Sequence, residues 1–248
     1  RVLVQELGLV PGNRVLLRGP NNPWLVACWF GVLKAGGVAV TTMSVLRPAE
    51  LSVICEMARA DLALCDHRFT EALASVPGLR VVPYGSDAAD DLARRAEAGP
   101  AGFDAPKFAA ADTAADDVAL IAFTSGTTGR PKATMHFHRD VLAIADTFSR
   151  HVLKPTGDDL FTGTPPLAFT FGLGALVVFP LRAGAATLLL EAATPDVLAD
   201  AIAAHGVTVL STASTAYRAM LAAGKADRLA SLRRCVSAGE ALPKATWQ

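Results

Sequence analysis

Residues 123–132 read Phe-Thr-Ser-Gly-Thr-Thr-Gly-Arg-Pro-Lys. Gly126 and Gly129 permit positive φ and let a backbone approach a ligand closely. The hydroxyls of Thr124, Ser125, Thr127 and Thr128 can donate to phosphate oxygens, and Lys132 adds a point charge. Backbone N–H groups, hydroxyls and a cation in one concave turn suit a polyphosphate. A plain polar turn is the alternative for a shorter run. The ten residues together, after the apolar Val118–Phe123 stretch, favour ligand binding. The loop is not of the Walker type, where the lysine directly follows the last glycine and the next residue opens a helix. Here Arg130 and Pro131 intervene, and Pro131 biases Arg130 away from helical angles. The following Ala-Thr-Met-His-Phe-His alternates like a strand. The spacing therefore predicts strand–loop–strand, with phosphates held by the loop's own donors and not by a helix dipole.

Such a loop needs a scaffold, and the chain has the material for one. Its 248 residues are 52% hydrophobic, with a mean hydropathy of +0.36, enough for one large domain or two lobes. Charge is balanced at 23 basic and 23 acidic residues, so no basic field argues for nucleic acid and no polybasic segment for a membrane surface. Cys28, Cys55, Cys65 and Cys235 form no C-x-x-C pair and read as buried thiols in a reducing compartment, the cytoplasm. Residues 23–43 are the most apolar stretch, but Lys34 and Gly36-Gly37 interrupt it. It reads as a buried helix ended by the glycine pair, then a strand.

Helical and strand patterns alternate nearly throughout. Strands are expected at 15–18, 38–41, 62–65, 81–82, 118–123, 187–190, 207–210 and 235–237, besides the one after the loop. Helices are expected from Pro48, over 141–152 with Val141, Ile144, Ala145, Phe148 and Val152 on one face, and from about 195 to 205. This alternation predicts an α/β fold of two layered lobes with mainly parallel sheets. The polar, alanine-rich stretch 84–117 reads as a surface connection with one short helix at 90–98. The lobes are accordingly expected at 1–115 and 116–248. The chain opens at Arg1 inside an apolar helical pattern of Val2, Leu3 and Leu7. It ends in the first turn of a helix, so both ends read as cut.

Thr124 to Lys132, T-S-G-T-T-G-x-P-K, resembles the signature loop of the adenylate-forming superfamily, which includes acyl- and aryl-CoA synthetases. Residues 31–51, HFHRD (136–140), PPLAFTFGLG (165–174) and SAGEALP (237–243) resemble further segments of that family, in the right order. The resemblance implies the large N-terminal domain of an enzyme that joins a carboxylic acid to Mg2+·ATP as an acyl-adenylate, then transfers the acyl group to coenzyme A. It implies that Thr124–Lys132 hold the β- and γ-phosphates, with Lys132 and Thr128 as catalytic groups and Thr127 and Thr128 near the metal. Where many relatives carry a histidine, this chain has Phe169, and Phe169-Thr170-Phe171-Gly172 is similar to benzoate- and 2-aminobenzoate-CoA ligases. Phe169 and Phe171 can flank Thr170 as a flat apolar slot for an aromatic ring, or be ordinary core residues. Tyr217 either shapes the acyl pocket or is an interfacial core tyrosine. Ser237, Ala238, Gly239 and Glu240 are expected at a strand's carboxyl end, where small residues let the nucleotide or acyl group pass close to the backbone.

His136 and His138 form H-x-H on a strand and would share a face. A metal reading needs a third ligand, and none is evident, so no metal-ligating set is assigned and His136 is placed near the nucleotide. The family's magnesium glutamate, ribose aspartate and C-terminal lysine have no counterpart here, so residues 1–248 alone are expected not to form acyl-adenylate. Other readings within the resemblance are an aliphatic acyl-CoA synthetase, a carrier-loading adenylation domain and a non-catalytic nucleotide-binding relative.

Overall fold

The computed structural model describes residues 1–98, 108–124 and 131–247. The chain is α/β and divides into two compact units, Arg1–Asp140 and Val141–Gln248. The first holds strands β1 (Arg14–Arg18), β2 (Val38–Thr42), β3 (Ala60–Asp66), β4 (Arg80–Tyr84), β5 (Val118–Thr124) and β6 (Lys132–Phe137). They form one sheet in the order β4-β3-β1-β2-β5-β6, parallel throughout except for the antiparallel β5–β6 pair. Helices α1 (Pro23–Lys34), α2 (Pro48–Ala58) and α3 (Leu92–Ala98) complete the unit. Every residue of β2 is buried, as expected of a parallel strand covered on both faces. The start of α1 is set by Asn22, whose side chain accepts from Leu25 N, and by Pro23 in the first turn. Gly36, at φ +76°, lies just past its end.

A buried cation closes the carboxyl end of β1. Arg18 is 2% exposed. Its guanidinium donates to the carbonyls of Met43 (2.6 Å), Ser44 (2.7 Å), Leu46 (3.1 Å) and Phe69 (3.3 Å). The loops after β2 and β3 are thus tied to β1 by one side chain. Burial lowers the proton affinity of Arg18, and Cys65 opposes that effect.

Helix α4 (His138–Ile144) straddles the division and continues as a π-helical stretch, Ala145–Leu153. The second unit has strands β7 (Leu160–Gly163), β8 (Ala186–Thr187), β9 (Val209–Thr212) and β10 (Arg234–Ser237), all parallel, in the order β10-β9-β7-β8. Helices α5 (Thr170–Leu173), α6 (Phe179–Ala183), α7 (Pro195–His205), α8 (Ser214–Ala222) and α9 (Lys244–Trp247) accompany it. Leu198, Ala199 and Ile202 of α7 pack with Val207, Leu210, Tyr217 and Met220 as a buried core. Asp159, 3% exposed, locks the amino end of this sheet. It accepts from Thr156 N (2.7 Å), Thr208 Oγ1 (2.7 Å) and Arg233 Nε (2.6 Å), with a second bond from the same guanidinium.

Those bonds make a pH prediction. The Arg233 guanidinium holds the Asp159 carboxyl well below the usual carboxylate range, against the opposing effect of burial. A depressed folded-state pKa stabilises above the unfolded value and loses that stability as pH falls through the folded one. Asp159→Asn is expected to cost about 2 kcal/mol at pH 7, and the gap to wild type to narrow below about pH 4. Urea unfolding of both proteins across pH 3–7 measures it; a pH-independent gap contradicts it.

Several sequence expectations shift. The units meet at Asp140/Val141 and not at 115/116, because β5 and β6 extend the first sheet beside β2. Tyr84 belongs to β4 and not to a surface connection: it is fully buried and its hydroxyl donates to Arg18 O at 3.1 Å. Strand β7 was not expected, since Leu-Phe-Thr-Gly is short and does not alternate. The expected strand at 187–190 is reduced to Ala186–Thr187, and that at 207–210 moves to Val209–Thr212. Phe148 and Val152 are 40% and 58% exposed, whereas Ala145, Ser149 and Leu153 are buried. The i→i+5 bonding of a π-helix rotates the buried face away from the 3.6-residue spacing. Cys235 is exposed, because β10 is an edge strand; Cys28, Cys55 and Cys65 are buried.

Candidate functional site

In the first unit, strands β5 and β6 form the base of the loop. Their antiparallel register runs from Leu120↔His136 through Ala122↔Thr134 to Thr124↔Lys132. Opposed residues share a face, so Thr124, Lys132, Thr134 and His136 form one polar stripe ending where the loop begins. A strand stands on each side of the 125–130 segment, as the sequence predicts. Ser125, Gly126, Thr127, Thr128 and Gly129 lie outside the described residues. Thr124 and Lys132 are exposed, and among the described residues neither side chain makes a hydrogen bond or ion pair. A hydroxyl and an ammonium standing opposite each other, unengaged, fit an anionic ligand.

Thr134 was not singled out in the sequence, although the alternation Lys132-x-Thr134-x-His136 was there to be read. Its hydroxyl donates to Ala122 O at 3.1 Å and lies 3.1 Å from His136 Nε2. With its one proton committed to the carbonyl, Thr134 accepts from His136, which therefore carries its proton on Nε2. His136 is thereby oriented by its own strand. His138 does not continue the H-x-H alternation, because it opens α4. Asp140, one turn in, accepts from Phe137 N at 2.9 Å and marks the change from strand to helix.

In the second unit, three sequence segments converge on one sheet edge. Residues 164–172 leave the carboxyl end of β7, α8 leaves that of β9, and Ser237–Glu240 leave that of β10. The strands are parallel neighbours in the order β10-β9-β7, so the three exits lie side by side. Hydrogen bonds stitch them. Thr164 N donates to Ser211 O (3.3 Å), Thr164 Oγ1 and Thr212 Oγ1 are 2.5 Å apart, and Ala238 N donates to Thr212 O (3.4 Å).

On the β7 exit, Phe169 is 40% exposed, Thr170 is exposed, Phe171 is half-buried and Gly172 is buried. Gly172 turns against the preceding residues so closely that a Cβ would stand 2.1 Å from Pro166 O. No other residue fits that approach, and it is what presents Phe169 at the end of the turn. On the β9 exit, Tyr217 is 9% exposed, and its hydroxyl lies 3.1 Å from Leu210 O and 3.0 Å from Val236 O. It braces β9 against β10. On the β10 exit, Ser237 Oγ is enclosed and has no hydrogen-bond partner among the described residues. An orphaned hydroxyl at a sheet's carboxyl edge fits a polar ligand there. Gly239, at φ +91°, reverses the chain, and Glu240 returns to accept from Ser214 Oγ (2.9 Å) and Thr215 N (2.6 Å).

Comparison with known proteins follows the same lines. A family model described as "AMP-binding enzyme" matches residues 1–248. A 3-hydroxybenzoate–CoA/4-hydroxybenzoate–CoA ligase of Thauera aromatica is 35% identical over 248 residues, covering 96% of this chain and 46% of the relative. A benzoate–CoA ligase of the same organism is 31% identical over 246 residues, with the same coverage. Among solved structures, an anthranilate CoA ligase in complex with anthranoyl-AMP superimposes with a TM-score of 0.86 at 30% identity, over 98% of this chain and 48% of that one. The chain thus spans about half the length of the relatives it matches.

Proposed function

The chain belongs to the AMP-binding enzyme family, and from that premise we propose that its protein activates an aromatic carboxylic acid with ATP and passes it to coenzyme A. A carboxylate is a poor electrophile. Its oxygen attacks the α-phosphorus of ATP, the bond to the β-phosphate oxygen breaks, and pyrophosphate leaves. The thiol of coenzyme A then attacks the acyl carbon, and AMP leaves with the electron pair of the acyl–oxygen bond. The first step brings two anions together, so positioning and charge stabilisation do the catalytic work.

The reading assigns Thr124, Ser125, Gly126, Thr127, Thr128, Gly129 and Lys132 to the β- and γ-phosphates, with Lys132 and Thr128 acting on the departing pyrophosphate. Mg2+ would supply charge neutralisation between these phosphates, near Thr127 and Thr128. The reading assigns His136 of the first unit to nucleotide binding, and in the second unit the backbone of Ser237, Ala238 and Gly239, with Glu240 closing that turn. Phe169, Thr170, Phe171 and Gly172 form the acid slot, and Tyr217 shapes it through the strands it braces. No helix among the described residues is long and apolar enough to cross a membrane. The four cysteines are free thiols, which suits a reducing compartment such as the cytoplasm.

The observation that carries the reading is the convergence of the β7, β9 and β10 exits on one parallel edge, in a family whose similar members are aryl-CoA ligases. The exposed Phe169 beside a backbone turn that only glycine permits supports an aromatic acid. The test is a ligase assay of the full-length protein with ATP, coenzyme A and either benzoate, 2-aminobenzoate, acetate or octanoate. Aromatic acids are expected to give AMP and the CoA thioester. Preference for octanoate overturns the aromatic slot, and acid-dependent pyrophosphate without thioester overturns the coenzyme A step.

A further inference from the structure

Glu240 has a job that its place in the Ser-Ala-Gly-Glu run does not suggest. Helix α8 begins after Ala213, which has no side chain to cap it. The missing acceptor comes from a distant part of the chain. Glu240 Oε1 takes Thr215 N at 2.6 Å and Ser214 Oγ at 2.9 Å, and Ser214, 3% exposed, also lies 3.0 Å from Ala241 O. The turn can reach back because Gly239 adopts φ +91°. The same helix carries Tyr217, whose hydroxyl lies against carbonyls of β9 and β10. Turn, helix start and strand pair are therefore one closed circuit of hydrogen bonds. The Thr215 N–H and the Ser214 hydroxyl also hold the Glu240 carboxyl below its ordinary range.

We propose that Glu240 is a positioning residue: by capping α8 from outside, it sets the backbone of residues 237–239 in place for the nucleotide, and its Oε1 takes no ligand. This rests on the assignment of the β10 exit to the nucleotide. A glutamate acting by its charge on a ligand cannot be replaced by glutamine. A glutamate acting as a hydrogen-bond acceptor can, because the amide oxygen still caps.

The experiment compares Glu240→Gln, Glu240→Ala and Ser214→Ala in the full-length protein. Amide hydrogen exchange at Thr215 reads the cap, calorimetric titration with ATP reads binding, and KM for ATP is set against kcat. Glu240→Gln is expected to keep Thr215 protected and to raise KM for ATP by no more than about threefold, whereas Glu240→Ala loses protection and raises it about tenfold or more, with kcat less affected. Ser214→Ala is expected to move in the direction of Glu240→Ala. The proposal is overturned if Gln is as damaging as Ala while Thr215 stays protected, since the charge then acts on the ligand. It is equally overturned if Ala unprotects Thr215 and leaves KM for ATP unchanged, since the cap is then purely local. A wild-type protein that binds no ATP defeats the functional reading, and Thr215 exchange still decides whether the cap exists.

Discussion

Lys132→Ala in the full-length protein is expected to lower kcat/KM for acyl-adenylate formation by about 10²–10³-fold, the loss typical of removing one preorganised charge-stabilising donor. The ammonium stands at the base of the loop, opposite the Thr124 hydroxyl, exposed and unengaged among the described residues. No described residue of the first unit uses its charge, so the substitution is expected to leave the unfolding free energy within about 0.5 kcal/mol of wild type. Lys132→Arg keeps the charge and is expected to lose less. The diagnostic readout is the second half-reaction. Given pre-formed acyl-adenylate, the variant should make thioester at an undiminished rate, because on the proposed assignment the pyrophosphate has already gone. Equal loss in both half-reactions, or none in the first, contradicts the assignment of Lys132 to the pyrophosphate end.

The largest structural effect is expected at Arg18. Replacing it by methionine fills much of the same volume but removes donors to four carbonyls, those of Met43, Ser44, Leu46 and Phe69. Replacing a buried charge with an apolar side chain is sometimes neutral, because the desolvation cost of the ion disappears. Here the partners are backbone acceptors that stay behind when the guanidinium is removed. Hydrogen bonds to a charged donor are worth about 1.5–3 kcal/mol each before the loops relax into water. A net loss of about 3 kcal/mol is therefore expected, with the 43–47 and 67–70 segments losing amide protection first. Arg18→Lys keeps the charge but cannot reach all four carbonyls, and is expected to fall between. Denaturant unfolding with residue-resolved exchange checks both; a Met variant as stable as wild type would show the carbonyls to be rehydrated without penalty.

What could be read from the residues follows from how local each cause is. Asn22-Pro23 before an apolar run and Gly36 after it bound α1 almost alone. Pro131 after the glycines disfavours a helix directly there, and the alternation after it predicts the strand that became β6. The four residues of β7 offered no period to detect, and the strand exists because β8 and β9 flank it. The face of Ala145–Leu153 was misjudged because i→i+5 bonding leaves no mark in composition. At the candidate site, positions were legible and partners were not. Nothing within a few residues of Glu240 announces that it caps a helix starting at Ser214, or that Tyr217 braces β9 and β10. Such pairings are properties of the assembled sheet.

The first sheet also carries a history of its own making. Its central strand β2 is buried on both faces and is covered on its outer edge by β5, through Ala39↔Leu120 and Val40↔Ile121. On a ribosome, β1 to β4 emerge long before that cover, separated from it by the whole 85–117 stretch. During that interval a hydrophobic strand with free backbone donors and acceptors is open to any passing partner. Non-local pairing of this kind is slow to form, because a long loop must close first. The intervening stretch, 85–117, carries eight acidic against three basic residues, so the open edge waits beside a net negative charge. Shortening that stretch is expected to hasten closure of the sheet, since the entropy cost of bringing β5 to β2 falls with the length between them.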